Sequence, residues 1–226
     1  MATYRPRSAW TSTAPGGDTL SASAVTRINV HYPASGNVRL QGISDADVAR
    51  RLRGWRQYHI DGRGWSDIGY SMAIDGHGCI WTLRGLDRVG AHSASDSNPS
   101  ENRHSHGVLF VIGNDEEPTT AAVNAFRQLR ADILKRSPKA TLVRGHQQVP
   151  GASTECPGDP LMELIRAGAL AGNPRPEPDP EDDVTQEQLI AAVRIAVHGL
   201  LDEAAKGSTP TGRQVRDDLR AIVKDA

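Results

Sequence analysis

The chain has 226 residues, with 26 lysines and arginines against 27 acids and a formal net charge of -1. That balance gives no reason to expect nucleic acid, whose binders need a concentrated basic surface, although an average near zero is compatible with local patches; no run approaches the ~20 apolar residues of a membrane span. The length allows one ordinary domain plus an appendage, and two cysteines, Cys79 and Cys156, build no disulfide framework. Such sparse cysteine use fits a reducing compartment. The N-terminus, Met1 to Trp10, has no apolar core of signal-peptide length. The expectation is a chain made soluble in the cytoplasm.

Residues 1–24, rich in Ser, Thr, Pro and Gly, read as an irregular lead-in. Val25 to Val30 alternates as a strand that ends at His31. Ser44 is a helix N-cap with Asp47 three residues later, and Val48, Leu52 and Trp55 follow at helical spacing, which predicts a helix over 45–59. Tyr70 to Ile74 and Cys79 to Leu83 are apolar runs joined by Asp75-Gly-His-Gly78, a hairpin signal. Gly107 to Ile112 is apolar throughout and so predicts a central strand. Thr119 caps a helix whose Ala122, Phe126, Leu129 and Ile133 share one face. Leu142-Val143 reads as a short strand leading to His146, and Asp159-Pro160 opens a further helix with Pro at its first position. Strands alternating with helices predict an α/β fold, a mixed central β-sheet flanked by helices.

At residues 173–183 the composition changes. Prolines at every second position, interleaved with acids, make an extended, stiff linker. Beyond it, over 184–226, Thr185 and Gln188 form a capping box. Leu189, Val193, Ala196, Val197 and Leu200 then make one apolar stripe, and Val215, Leu219, Ile222 and Val223 a second. A small helical segment of this size rarely folds alone, so its stripes are expected to find a partner: another copy, giving a homo-oligomer through these residues, the preceding domain, or an envelope component that targets the chain to the cell wall.

The chemistry concentrates in Arg144-Gly-His-Gln-Gln-Val-Pro-Gly-Ala-Ser-Thr-Glu-Cys-Pro-Gly158. It brings His146 and Cys156 into one loop-rich segment, and imidazole with thiolate suits Zn²⁺. A catalytic zinc takes three protein ligands and leaves one position open; His31 is the candidate third. Each has a plainer reading as well. His31 could be a strand-end histidine satisfied by the backbone, Cys156 a small buried hydrophobe, and a Cys79–Cys156 bridge would remove the ligand altogether.

His31 after a strand, Gly64-Trp-Ser-Asp-Ile-Gly-Tyr70, Val89-Gly-Ala-His92, and Gly145-His146 with Thr154-Glu-Cys-Pro-Gly158 occur in that order. The ordered set, together with Arg7-Ser-Ala-Trp10, resembles the zinc N-acetylmuramoyl-L-alanine amidases of bacteriophage lysozyme type and the related peptidoglycan recognition proteins, over residues 7 to 170. The resemblance implies a zinc amidase domain over 1–172, with His31, His146 and Cys156 as metal ligands. Tyr70 becomes a phenol donating to the oxyanion, Thr154 a hydroxyl donating to the substrate carbonyl, and His92 a groove residue touching substrate. Asn98, in a nearby loop, is a further candidate for glycan contact. Tyr32-Pro33 follows His31 where a polar or second histidine position is more usual, and the His146-to-Cys156 spacing is longer than is common. A branch of the family takes its base from a glutamate on the central strand, but His106-Gly-Val-Leu-Phe-Val-Ile112 carries no carboxylate. The base is therefore expected to be zinc-activated water helped by Tyr70, with Glu155 an exposed loop acid. His104 and His106 read as surface or sheet-edge histidines, and His59, His77 and His198 as background.

The implied activity is cleavage of the bond between N-acetylmuramic acid and L-alanine in bacterial peptidoglycan, in the setting of a phage or prophage endolysin that another factor releases to the wall. Two rivals stand beside it. One is a non-catalytic peptidoglycan-binding module, a reading that the presence of Cys156 disfavours. The other is a phage structural or entry protein that carries an amidase domain.

Overall fold

A computed structural model describes residues 2–36 and 38–172. The expected linker over 173–183 and the helical segment over 184–226 lie outside the described residues. Six strands form one sheet: β1 (Thr3–Arg5), β2 (Arg27–His31), β3 (Met72–Ile74), β4 (Cys79–Thr82), β5 (Ser105–Phe110) and β6 (Leu142–Gly145). Their spatial order is β1-β4-β3-β5-β2-β6. Only the β3–β4 hairpin is antiparallel; the other neighbours run parallel. Among the described residues three α-helices accompany the sheet: α1 (Asp45–Asp61), α2 (Thr120–Arg136) and α3 (Asp159–Arg166).

The local chemistry explains these boundaries. Ser44 Oγ accepts from the Asp47 amide at 3.2 Å and starts α1; Thr119 Oγ1 accepts from the Ala122 amide at 3.0 Å and starts α2. In the β3–β4 turn the buried Asp75 carboxylate accepts from the His77 and Cys79 amides and from Trp81 Nε1, at 3.0, 2.9 and 2.7 Å, which fixes the hairpin. Every residue of β5 is buried. Val108 and Phe110 face one core with Ile28, Val30, Phe126, Leu129, Ile133 and Leu161, while Leu109 and Val111 face a second with Val48, Leu52 and Trp81. A strand apolar on both faces is what a three-layer arrangement requires of its centre.

Two expectations are corrected. The lead-in is not wholly irregular, because Thr3–Arg5 adds an edge strand beside β4 and Trp10 is buried, its Nε1 donating to the Thr82 carbonyl at 2.8 Å. Three polar-rich residues hydrogen-bonded on one side leave no periodic trace. His106 is neither at the surface nor at a sheet edge. It lies in β5, wholly buried, with both ring nitrogens unpartnered among the described residues. His104, by contrast, is half-buried, with Nδ1 3.1 Å from the Ala24 carbonyl.

Candidate metal centre

β2 lies between β5 and β6, and all three run parallel, so their C-terminal ends meet. His31 is the last residue of β2. Val30 pairs with Gly145 of β6, which puts His146 beside it. A Cβ on Gly145 would lie 2.3 Å from Met162 Sδ and 2.7 Å from Pro157 Cδ, so only glycine lets the α3 segment pack this close. The Gln147 amide then donates to the Cys156 carbonyl at 2.7 Å and folds the loop back over the strand ends. As a result the donor atoms of His31, His146 and Cys156 all lie within 4.8 Å of one another.

The donor set can be tested against zinc. Tetrahedral geometry with ordinary Zn–S and Zn–N lengths places a thiolate sulfur and an imidazole nitrogen about 3.6 Å apart. Cys156 Sγ and His31 Nδ1 stand 3.6 Å apart. Burial, then His92 and His146, holds His31 well below its ordinary pKa, and burial lowers His146 against the pull of Glu101. Both imidazoles are thus neutral near pH 7, the form that ligates. Burial pushes the Cys156 thiol up to about 12, with the Tyr32 backbone opposing. A cation is what would draw off that proton. These residues fit a zinc ion. A second convergence, of Asp45, Asp75 and Cys79, already has its positive charge from Arg5, which is paired with Asp45.

Around this set, the Tyr70 ring lies 5.1 Å from that of His31, just outside β3. Burial, then Cys156, raises its phenol well above the usual value, so the hydroxyl stays protonated. Thr154 is exposed, and its Oγ1 accepts from the Cys156 amide at 3.1 Å, which leaves its own proton free to donate. His92 is only 6% exposed, with Nδ1 3.2 Å from His31 Nε2 and 2.9 Å from Ser93 Oγ. Gly107 makes room for it: a Cβ there would lie 2.5 Å from the His92 ring. His92 is thus placed against the imidazole of His31, a candidate ligand. Asn98 is tied elsewhere, its Nδ2 donating to Glu101 Oε2 at 3.1 Å. Glu155 is exposed.

Four further side chains escaped the sequence reading. His59 is buried behind Tyr70, with ring centroids 5.8 Å apart; it stacks on Trp65 at 4.7 Å, and its Nδ1 accepts from the Gly69 amide at 3.3 Å. Glu101 is wholly buried beneath the site and holds Asn29 and Arg144. Asn29 and Arg144 each precede a candidate ligand by two residues, a spacing that period-two reading of a strand could have flagged. Glu101 leaves no such signal.

A mixed sheet flanked by helices, gathering two imidazoles and a thiol at the ends of adjacent parallel strands, defines an α/β protein equipped to hold a metal. The particular family follows from comparison. The chain belongs to the N-acetylmuramoyl-L-alanine amidase family, Amidase_2, whose model matches residues 21–159. Peptidoglycan-recognition protein SC2 of Drosophila simulans is 30% identical over 163 residues, covering 71% of this chain and 83% of the relative. The human N-acetylmuramoyl-L-alanine amidase is 36% identical over 126 residues, 52% of this chain, and the match spans only 20% of the human protein. A variant of Drosophila PGRP-LB in complex with tracheal cytotoxin superposes with a TM-score of 0.62 at 30% identity, over 73% of this chain and 93% of that one.

Proposed function

We propose that the protein hydrolyses the amide between N-acetylmuramic acid and L-alanine in peptidoglycan, with zinc held by His31, His146 and Cys156. The observation that carries this reading is the convergence of those three donors within 4.8 Å in a chain of the amidase family. When bound, zinc supplies Lewis acidity toward a carbonyl oxygen and brings the pKa of water to about 7. The chain's own groups do the rest. Tyr70, kept protonated by burial, donates to the oxyanion as the amide carbon becomes tetrahedral. Its protonation suits donation rather than proton abstraction. Thr154 presents a second hydroxyl donor from the loop, and His92 with Ser93 holds the far edge of the His31 ring.

The substrate class is supported by the relatives' names and by the PGRP-LB complex with tracheal cytotoxin, a monomeric diaminopimelic acid-type peptidoglycan. The motif order resembling bacteriophage lysozyme-type amidases supports a lytic setting, as a phage or prophage endolysin that reaches the wall from the cytoplasm. Digestion of purified muropeptides, read by mass, tests the activity. The expected products are free stem peptides with a new L-alanine amino terminus, lost in chelator and restored by Zn²⁺. Retention on cell walls with every muropeptide intact would instead favour a binding module, the reading that the name of the recognition-protein relatives keeps open.

A further inference from the structure

Glu101 sits in a single turn of 3-10 helix (Glu101–Arg103) just before β5, and none of it is exposed. Its carboxylate is filled on every side. Oε1 accepts from Arg27 Nε at 2.9 Å, Asn29 Nδ2 at 2.8 Å and Arg144 Nη2 at 2.7 Å. Oε2 accepts from Arg27 Nη2 at 2.9 Å and Asn98 Nδ2 at 3.1 Å. These donors come from three places in the chain: β2, β6 and the loop before the turn. Arg27 and Asn29 share a face of β2 with His31 by the two-residue period of a strand. Arg144 is paired with Asn29 across the β2–β6 ladder, and its Nε donates to Asn29 Oδ1 at 3.1 Å.

From Asn29 the network continues to the imidazoles. Asn29 Nδ2 donates to Ser93 Oγ at 3.1 Å, and Ser93 Oγ lies 2.9 Å from His92 Nδ1 and 3.4 Å from His31 Nε2. With His31 neutral and its Nδ1 facing Cys156, His31 Nε2 carries the ring proton and donates, so the Ser93 hydroxyl proton is left to point at His92 Nδ1. The ring edge of His31 that faces away from Cys156 is therefore held by a chain of polar groups ending on a buried anion. We propose that Glu101 is a positioning residue for the metal centre: it locks β2 to β6 beneath His31 and His146 and, through Asn29 and Ser93, fixes the orientation of the His31 ring. The proposal rests on the zinc reading above. Groups that orient a ligating histidine in this way change metal affinity by roughly 10- to 100-fold when removed.

The experiment measures zinc affinity of the full chain by competition with a chromogenic chelator, and the absorption of the Co²⁺-substituted protein. Glu101→Gln and Ser93→Ala are compared with wild type and with Leu129→Ala, a core truncation in α2 away from the network. Ser93→Ala should weaken zinc roughly tenfold and Glu101→Gln roughly 10- to 100-fold, and both should shift the Co²⁺ band. Leu129→Ala should lower the melting temperature and leave affinity and spectrum unchanged. Glu101→Gln leaves Arg27 and Arg144 without their counter-charge; should it fail to fold, Ser93→Ala alone decides. Wild-type affinity and an unshifted band in Ser93→Ala overturn the positioning role, as does an equal loss in Leu129→Ala. Wild-type protein that binds no zinc overturns the metal reading itself, and the positioning role with it.

Discussion

His106 makes the stability of this domain depend on pH in a way that one substitution should remove. Its imidazole is wholly buried in β5 with neither nitrogen partnered among the described residues. Burial, then Arg136, lowers its pKa to about 4 against the opposing pull of Asp87. An unfolded chain protonates the same ring near 6.5. The folded pKa is the lower one, so the unfolded state binds the extra proton. The stability contribution is full above pH 6.5 and is lost as pH falls toward about 4, with little further loss below that. For a single site with these two values, linkage removes roughly 2 kcal/mol between pH 7 and pH 5, and roughly 3 kcal/mol in the limit. Urea titrations of wild type and His106→Leu at both pH values isolate this term, because the other titrating groups are common to both proteins. Wild type should lose about 2 kcal/mol more than the variant on going to pH 5. At pH 7 the variant should be at least as stable, since the orphaned polar atoms are gone. Parallel losses in the two proteins would refute the reasoning and would mean that the buried ring finds a partner, such as an ordered water.

The catalytic reading makes sharper demands. Cys156→Ser should lose most of its zinc and activity together, because a serine hydroxyl does not ionise near neutral pH as the thiol does beside a cation; metal analysis and muropeptide digestion check both. Tyr70→Phe should keep zinc and fold yet turn over roughly 10²-fold more slowly, while Thr154→Ala loses one neutral hydrogen bond worth about 1 kcal/mol, or about fivefold in rate. A near-normal rate for Tyr70→Phe would return that ring to packing against His31 and His59. Ending the chain at Gly172 keeps every described element and should leave hydrolysis of soluble muropeptides intact. Light scattering on both lengths then tests self-association through 184–226, and binding to intact walls tests targeting.

Much of the fold was legible because its signals are local. The hairpin turn, the caps Ser44 and Thr119, and the apolar run of β5 each lie within a few consecutive residues, and each produced its element. Strand limits moved by one or two residues where backbone pairing, rather than hydrophobicity, sets them: Tyr70 falls before β3, and β5 begins at Ser105. What escaped depends on distant partners. Glu101 looks like one more polar residue of a Ser- and Asn-rich loop. Its burial depends on Arg27, Asn29 and Arg144, which lie 74, 72 and 43 positions away. His106, between Ser105 and Gly107, carries nothing to mark it as interior; strand order alone puts it there.

The same reasoning explains why the three candidate ligands could be named from sequence while Glu101 and Ser93 beneath them could not. Zinc takes its side-chain donors from His, Cys and the acids, so the alphabet is small and the loop of His146 and Cys156 is conspicuous. The groups that hold those donors need only a hydrogen-bonding atom in the right place, which Asn29, Ser93, Arg144 and Glu101 supply with ordinary residues. Parallel pairing of β2 with both β5 and β6 brings His31 and His146 to one end of the sheet. It also stacks Asn29 and Arg144 beneath them, at the height where the turn before β5 delivers Glu101. The register that makes the donor set therefore also makes its polar foundation. A one-residue slip of β6 against β2 would separate His146 from His31 and Arg144 from Glu101 in the same step.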